Sequence, residues 1–104
     1  VLNLDLNFEI IKTLDSRGLI VSSSGKDVDF VSRWFGPQTG VDEDPVTGSA
    51  HTLLTPFWAE KLNKTKLRAK QLSRRGGELF CELKENSVLI SGNASLYLRG
   101  EYFL

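Results

Sequence analysis

The stretch GSAHTLLTPFWAEKL, residues 48–62, most strongly limits the folds open to this sequence. Apolar side chains recur along it at helical spacing: Ala50, Leu53, Leu54, Phe57, Trp58 and Leu62. A helix this apolar is expected to be buried at the centre of a domain. Pro56 lies inside the pattern, where it cannot donate to the carbonyl of Thr52, so it predicts a kink.

Segments typical of β-strands flank this helix on both sides. Six are predicted, at residues 19–25, 28–35, 66–73, 77–85, 87–92 and 93–104. In the fourth, Leu79, Cys81 and Leu83 alternate with the residues of the opposite face. The residues alone therefore predict one domain of roughly six strands around one apolar helix.

The first residues fit two interpretations. Five side chains alternate as in a strand: Leu2, Leu4, Leu6, Phe8 and Ile10. Phe8, Ile11 and Leu14 also fit one face of a helix, and Gly18 is well placed to end it. We favour a helix over residues 7–15.

Composition narrows the functional classes. The 104 residues hold thirteen basic and thirteen acidic side chains, so net charge favours neither nucleic acid nor an anionic membrane as a partner. The apolar runs are too short to span a membrane. Cys81 is the single cysteine, which excludes an intrachain disulfide and favours a cytoplasmic location. No signal peptide is visible, and a sequence without an initial methionine can be an excised piece.

The sequence EDPVTGSAH, residues 43–51, holds more polar detail than a helix start requires. Thr47 and Ser49 are both N-cap residue types, and Gly48 between them permits close backbone approach. Free amides at a helix start and the helix dipole favour a carboxylate or phosphate. The simpler alternative is that Thr47 or Ser49 only caps the helix. No Walker A spacing is present, which argues against nucleotide binding.

These residues also carry a family resemblance. DEDPVTGSAH, followed by Leu54-x-Pro56-x-Trp58, by QLSRRGG (71–77) and by ISGNA (90–94), resembles the PhzF-like, phenazine-biosynthesis-like isomerases. The preceding DFVSRWFGP (29–37) resembles the strand and loop that lead to this motif. The resemblance implies an α+β fold, a mostly antiparallel sheet wrapped around a central helix. That fold is one half of a diaminopimelate epimerase-like, two-domain protein.

The resemblance also implies how the chain is organised. Residues 1–104 look like a single partial domain, most of the C-terminal half, with the N-terminal half absent. That other half carries a Gly-Asn-Pro motif and a Ser-Glu-Thr segment whose glutamate is the acid/base, and neither motif occurs here. We therefore expect an isomerase when the protein is full-length and an inactive chain when these residues stand alone.

Site residues follow from the resemblance position by position. Asp44 matches the cleft aspartate, and Gly48 and Ser49 match the pair that contacts substrate. We expect Asp44 and Ser49 to be catalytic, and Thr47, Gly48 and Ser49 to bind substrate. The helix-start amides and Ser49 would hold the carboxylate of a small substrate, such as a cyclic one, while Asp44 orients it or relays a proton. No cofactor and no metal is expected.

Two further residues, His51 and Cys81, have side chains capable of chemistry. His51 is either an acid/base or metal ligand, or a hydrogen-bonded residue of the helix's first turn, which we favour because no ligand partner stands at suitable spacing. Diaminopimelate epimerase-type racemases use a thiol at the start of the central helix, whereas Cys81 lies in a predicted strand. Two-thiol racemisation is therefore disfavoured, and Cys81 is assigned to the core with a raised pKa.

We expect the remaining candidate residues to have structural roles. Arg74, Arg75, Gly76 and Gly77 predict a tight turn, with positive φ at Gly77, rather than an RNA-binding segment. Arg75 could instead reach an anionic substrate. Trp34 and Trp58 fall in apolar periodic runs and are assigned to the core.

Two functions of different classes remain open. One is the C-terminal half of a cofactor-independent isomerase with a homodimeric, biosynthetic role. The other is a non-catalytic protein-interaction module derived from the same fold.

Overall fold

The computed structural model describes Val1 and residues 3–104, so Leu2 of the alternating N-terminal pattern lies outside the described residues. The predicted N-terminal helix is present but shorter: α1 spans Phe8–Lys12. Asn7 caps it, because its Oδ1 accepts from the amides of Glu9 (3.1 Å) and Ile10 (3.3 Å). The helix ends at Thr13, not at Gly18.

One five-stranded sheet forms the body of the fold. Its strands are β1 (Leu19–Ser24), β2 (Phe30–Phe35), β3 (Lys66–Gln71), β4 (Gly77–Leu83) and β5 (Val88–Ser91). They lie side by side in chain order, and every neighbouring pair is antiparallel except β2 and β3. In that parallel pair Phe30 lies beside Ala69 and Ser32 beside Gln71. The predicted α+β class with a mostly antiparallel sheet is confirmed.

The central helix α2, Gly48–Leu62, connects the two parallel strands and continues through Pro56. Trp58 fixes it on the sheet: its ring stacks on Phe30 with centroids 5.8 Å apart, and its Nε1 donates to Ser22 Oγ at 2.9 Å. Leu53 and Phe57 of the same helix remain 68% and 55% exposed, so the described residues cover only part of α2. No helix among the described residues has the length and apolar character needed to cross a membrane.

The sixth predicted strand is wrong. Residues 92–104 form neither helix nor strand, although apolar residues are frequent in them. A strand requires a neighbouring strand to receive its main-chain hydrogen bonds, and among the described residues this segment pairs with neither edge strand of the sheet, β1 or β5. Its large apolar side chains are almost fully exposed: Leu96, Tyr97, Leu98, Tyr102, Phe103 and Leu104.

Candidate functional site

The loop between β2 and α2 carries the candidate site, and main-chain contacts shape it. A short 3₁₀ helix, Pro37–Thr39, is followed by Gly40 at φ 90°, a left-handed conformation that suits glycine. Gly36 and Val41 then form an isolated antiparallel bridge. The Asp44 amide donates to the Trp34 carbonyl at 3.1 Å. The loop therefore folds back along the end of β2 and brings Asp44 beside the sheet.

An ion pair fastens this loop to β2. Arg33 donates from Nε to Glu43 Oε1 at 2.7 Å and from Nη2 to Glu43 Oε2 at 3.0 Å. The hydrogen bond to Glu43 raises the pKa of Arg33, although burial partly opposes the shift. Neither residue was proposed from the sequence. Because Glu43 directly precedes Asp44, the pair limits where the Asp44 backbone can lie.

A partly buried hydrogen-bond network joins Asp44, Thr47 and Gln71. Thr47 Oγ1 donates to Asp44 Oδ2 at 2.5 Å. Gln71 accepts from the Thr47 amide at 2.7 Å and donates from Nε2 to the Asp44 carbonyl (2.9 Å) and to Thr47 Oγ1 (3.0 Å). Gln71 is 1% exposed and was not among the predicted site residues. The sequence feature that could have identified Gln71 is a polar side chain at an inward-facing position of a predicted strand.

Thr47 stands at the N-cap of α2, yet its side chain does not cap the helix. Its hydroxyl instead bonds to Asp44 and Gln71. Gly48 and Ser49 are exposed at the helix start, and a Cβ added to Gly48 would meet nothing within 4 Å. The first amides of a helix have no intrahelical partners, so the Gly48 and Ser49 amides are candidate donors for a ligand. This geometry does not match the simpler alternative in which the Thr47 side chain caps the helix.

Ser49 lines a pocket of about 430 Å³ with polar and apolar walls. Trp34 and Leu53 supply apolar surface, and Arg17 supplies a cationic group. Asp44 does not line this pocket. The structure therefore brings Asp44 and Thr47 into direct contact and places Gly48 and Ser49 on the following turn. It does not enclose the Asp44 carboxylate and the Ser49 hydroxyl in one cavity.

His51 lies in the core, as the favoured interpretation predicted. It is fully buried beside Phe30, with ring centroids 5.8 Å apart. Its Nδ1 lies 2.8 Å from the Thr47 carbonyl, so Nδ1 carries the proton because a carbonyl can only accept. Burial lowers the pKa of His51, while the Thr47 bond opposes the shift. The side chain is therefore a neutral imidazole that supports the Thr47 backbone.

Cys81 and Trp58 are also core residues, as predicted. Cys81 is 3% exposed, and burial raises the pKa of its thiol, with the Thr55 hydroxyl opposing the shift. Trp58 is 5% exposed, whereas Trp34 is only half-buried. Trp34 packs over Gly36: a Cβ at this position would lie 2.2 Å from the indole ring.

The predicted turn after β3 is present, with one correction. The positive φ, 74°, belongs to Gly76 and not to Gly77, which is the first residue of β4. Gly77 is needed for a different reason, since a Cβ there would lie 2.1 Å from Val46 Cγ2. Arg75 lines a pocket of about 480 Å³ with Arg74, Ser73, Pro45 and Glu43. It thus lies near the Asp44 loop, and its contact with an anionic substrate stays a prediction.

Comparison with known proteins identifies relatives over nearly the whole chain. The family model for phenazine biosynthesis-like proteins (PhzC-PhzF) matches residues 1–100. The chain is 51% identical over 98 residues to an uncharacterized isomerase of Pseudomonas aeruginosa, covering 94% of this chain and 38% of that protein. It is 48% identical over 103 residues to an uncharacterized isomerase of Halalkalibacterium halodurans, covering 97% of this chain and 39% of that protein.

A solved structure agrees with the fold. The crystal structure of a phenazine biosynthesis protein of the PhzF family from Enterococcus faecalis superposes with a TM-score of 0.88 at 50% identity. The match covers 98% of this chain and 40% of that one. The chain thus spans 38% and 39% of the length of the two curated relatives.

Proposed function

The chain belongs to the phenazine biosynthesis-like (PhzC-PhzF) family, and on that premise we propose that it forms most of the C-terminal half of a cofactor-independent isomerase. The enzyme moves a proton on a small, carboxylate-bearing substrate, such as a cyclic acid. Its site lies in the cleft between this half and a second one. Relatives described as uncharacterized isomerases support the reaction class.

The observation that carries the proposal is the uncapped start of α2 beside the Asp44–Thr47 pair. The Thr47 hydroxyl is turned away from the helix and towards Asp44, so the first amides of α2 are left as donors. Those amides and the Ser49 hydroxyl hold the substrate carboxylate, and the helix dipole adds a partial positive charge. Arg17, in the pocket that Ser49 lines, provides a cationic group that binds the same substrate carboxylate.

Asp44 then orients a polar substituent of the substrate or relays a proton. Moving a proton between two carbons develops negative charge, which fixed donors stabilise better than mobile water. Within this chain the donors are the amides of Gly48 and Ser49. The principal acid/base is the glutamate of the Ser-Glu-Thr segment in the other half.

Two surfaces support the presence of a second half. Leu53 and Phe57 of α2 are more than half exposed, and the side chains of residues 96–104 include six large exposed apolar groups. Exposed apolar surface of this extent usually marks an interface. The solved relative matches 98% of this chain, while 60% of its own length lies beyond the match. We propose that the additional part of the protein covers these surfaces.

The direct test is to add dihydro-hydroxyanthranilate to the full-length protein and to the 104-residue chain, and to follow absorbance. We expect turnover by the full-length protein only. Loss of the main proton-transfer group costs about 10²- to 10⁴-fold, and loss of one cleft wall costs substrate positioning as well. Turnover by the chain alone within about tenfold of the full-length protein would contradict the two-half site. No turnover of any related acid by the full-length protein would contradict the isomerase proposal.

The exposed apolar surface also supports the second candidate, a non-catalytic interaction module. The natural full-length sequence separates the two. A preceding half with Gly-Asn-Pro and Ser-Glu-Thr motifs favours the enzyme, and a different neighbouring domain favours the module. For the enzyme we further propose a cytoplasmic location and a homodimeric state. Light scattering of the full-length protein would test the dimer.

A further inference from the structure

Gln71 is a polar side chain in a position that the strand pattern reserves for the core. It is the last residue of β3, whose inward residues Leu67 and Ala69 are apolar and buried. An amide at this position costs free energy unless its oxygen and nitrogen are hydrogen-bonded. The hydrogen bonds of its side chain go to Asp44 and Thr47, so the Gln71 side chain holds the site loop and not the sheet.

The partners determine which way the Gln71 amide faces. The Thr47 main-chain N–H can only donate, so Gln71 Oε1 must face it. The Asp44 main-chain carbonyl can only accept, so Gln71 Nε2 must face that group. The same Nε2 lies 3.0 Å from Thr47 Oγ1 and donates to it. The orientation of the amide is therefore fixed from both ends.

This orientation decides the direction of the next hydrogen bond. Because Thr47 Oγ1 accepts from Gln71, its own proton is free to point towards Asp44 Oδ2, 2.5 Å away. A carboxylate without a proton is the natural acceptor for that hydroxyl. The result is a one-directional chain of donors from Gln71 through Thr47 to Asp44.

We propose that Gln71 is a positioning residue for the proposed isomerase site. It sets the Thr47 hydroxyl as a donor and thereby holds the Asp44 carboxylate in a single orientation. This inference rests on the proposed function. It adds to that function a residue at the end of β3 that does not itself touch substrate and acts through Thr47.

The first experiment measures positioning without activity. Gln71→Met keeps the length of the side chain and removes both its donor and its acceptor. Gln38→Met is the matched control, because the other glutamine of the chain also donates to a main-chain carbonyl, that of Ser16 at 2.7 Å. In the full-length protein we expect Gln71→Met to speed hydrogen exchange at the Thr47 amide by at least about tenfold, and Gln38→Met to leave it unchanged.

The second experiment changes the hydroxyl alone. Thr47→Val removes it and Thr47→Ser keeps it. In crystals we expect the Asp44 carboxylate to rotate away in Thr47→Val and to stay in Thr47→Ser. On an active substrate, Gln71→Met and Thr47→Val should each lower kcat at least about tenfold with KM changed less than about threefold, because misplaced groups act on the transition state. Gln38→Met should stay within about threefold of wild type, and Thr47→Ser should retain more activity than Thr47→Val.

A double-mutant cycle then separates positioning from general stability. In an Asp44→Asn background, Gln71→Met should lower kcat by less than about a further threefold, since the group it positions is already lost. Fully additive losses, an unchanged Asp44 side chain in Thr47→Val, or unchanged Thr47 exchange in Gln71→Met would each overturn the proposal. If the wild-type protein is inactive, the proposed function fails, and the exchange and crystal results still decide the positioning role.

Discussion

Arg33 and Glu43 face each other as a two-pronged ion pair, with Nε 2.7 Å from Oε1 and Nη2 3.0 Å from Oε2. Their side chains are only 17% and 20% exposed. Such planar, paired hydrogen bonds fix geometry as well as charge. The pair joins the middle of β2 to the residue before Asp44, so it couples the stability of the fold to the shape of the site loop.

Removing one partner should therefore be costly. We expect Glu43→Gln to lower the free energy of unfolding by about 2 kcal/mol, because the largely buried Arg33 guanidinium then has a weaker acceptor. Glu9→Gln is the control: the Glu9–Lys12 pair is 3.7 Å apart, and its side chains are 85% and 49% exposed. That change should cost about 0.5 kcal/mol or less in chemical denaturation. Equal losses for the two variants would contradict the role of the pair.

Asp44 should matter for turnover more than for folding. Asp44→Asn keeps an oxygen that can accept from Thr47, so the free energy of unfolding should change by about 1 kcal/mol or less. If the proposed function holds, loss of the carboxylate should lower kcat of the full-length protein by at least about a hundredfold. Asp42→Asn, in the exposed part of the same loop, is the matched control and should leave kcat unchanged. Wild-type kinetics for Asp44→Asn would remove this residue from the site.

The start of α2 should bind small anions. Crystals grown in sulfate, citrate or tartrate are expected to show an anion at Gly48 and Ser49, because the Thr47 side chain leaves these amides uncapped. In solution, a sulfate titration followed by NMR should shift the amide signals of Gly48 and Ser49. The start of α1 is the internal control, since Asn7 already occupies its amides. Equal shifts at both helix starts would argue against a specific anion site.

His51 should make stability fall with acid. Burial lowers its pKa in the folded protein below the ordinary value of 6.5, so only the unfolded chain takes up a proton as the pH drops through 6.5. The stabilising contribution of the neutral imidazole is complete above 6.5. It declines below that pH until the lowered folded pKa is reached.

The slope is measurable because His51 is the only histidine of the chain. As the pH falls below 6.5, wild-type stability should decline by at most about 1.4 kcal/mol per pH unit, the value for one proton. His51→Gln should remove this dependence while lowering stability at neutral pH. Chemical denaturation across this range is the test, and the same slope in both proteins would show that another group is responsible.

The elements predicted with the best boundaries are those that local patterns determine. Helix α2 spans Gly48–Leu62, as its apolar spacing predicted. β1 to β5 lie within the segments predicted from strand patterns. In each case the signal is repeated every two residues or every helical turn, so a few consecutive residues suffice to reveal it.

Prediction failed where the outcome depends on distant partners. Residues 92–104 have the composition of a strand, but a strand forms only by pairing with another strand, and among the described residues this segment pairs with none. Gln71 was missed because its partners, Asp44 and Thr47, are remote in sequence. The positive φ assigned to Gly77 belongs to Gly76, because either of two adjacent glycines can supply a turn. Such features are decided by tertiary contacts.

The parallel pairing of β2 with β3 has a consequence for how the molecule acquires its site. Antiparallel neighbours such as β3–β4 and β4–β5 are joined by short turns and can form early, whereas Phe30 meets Ala69 only after α2 has crossed between them. Gln71 lies at the end of the same pairing, beside Ser32. We therefore expect the site loop to gain its Gln71 anchor in a late, non-local step of folding, and a chain trapped before that step to hold native hairpins but no formed site.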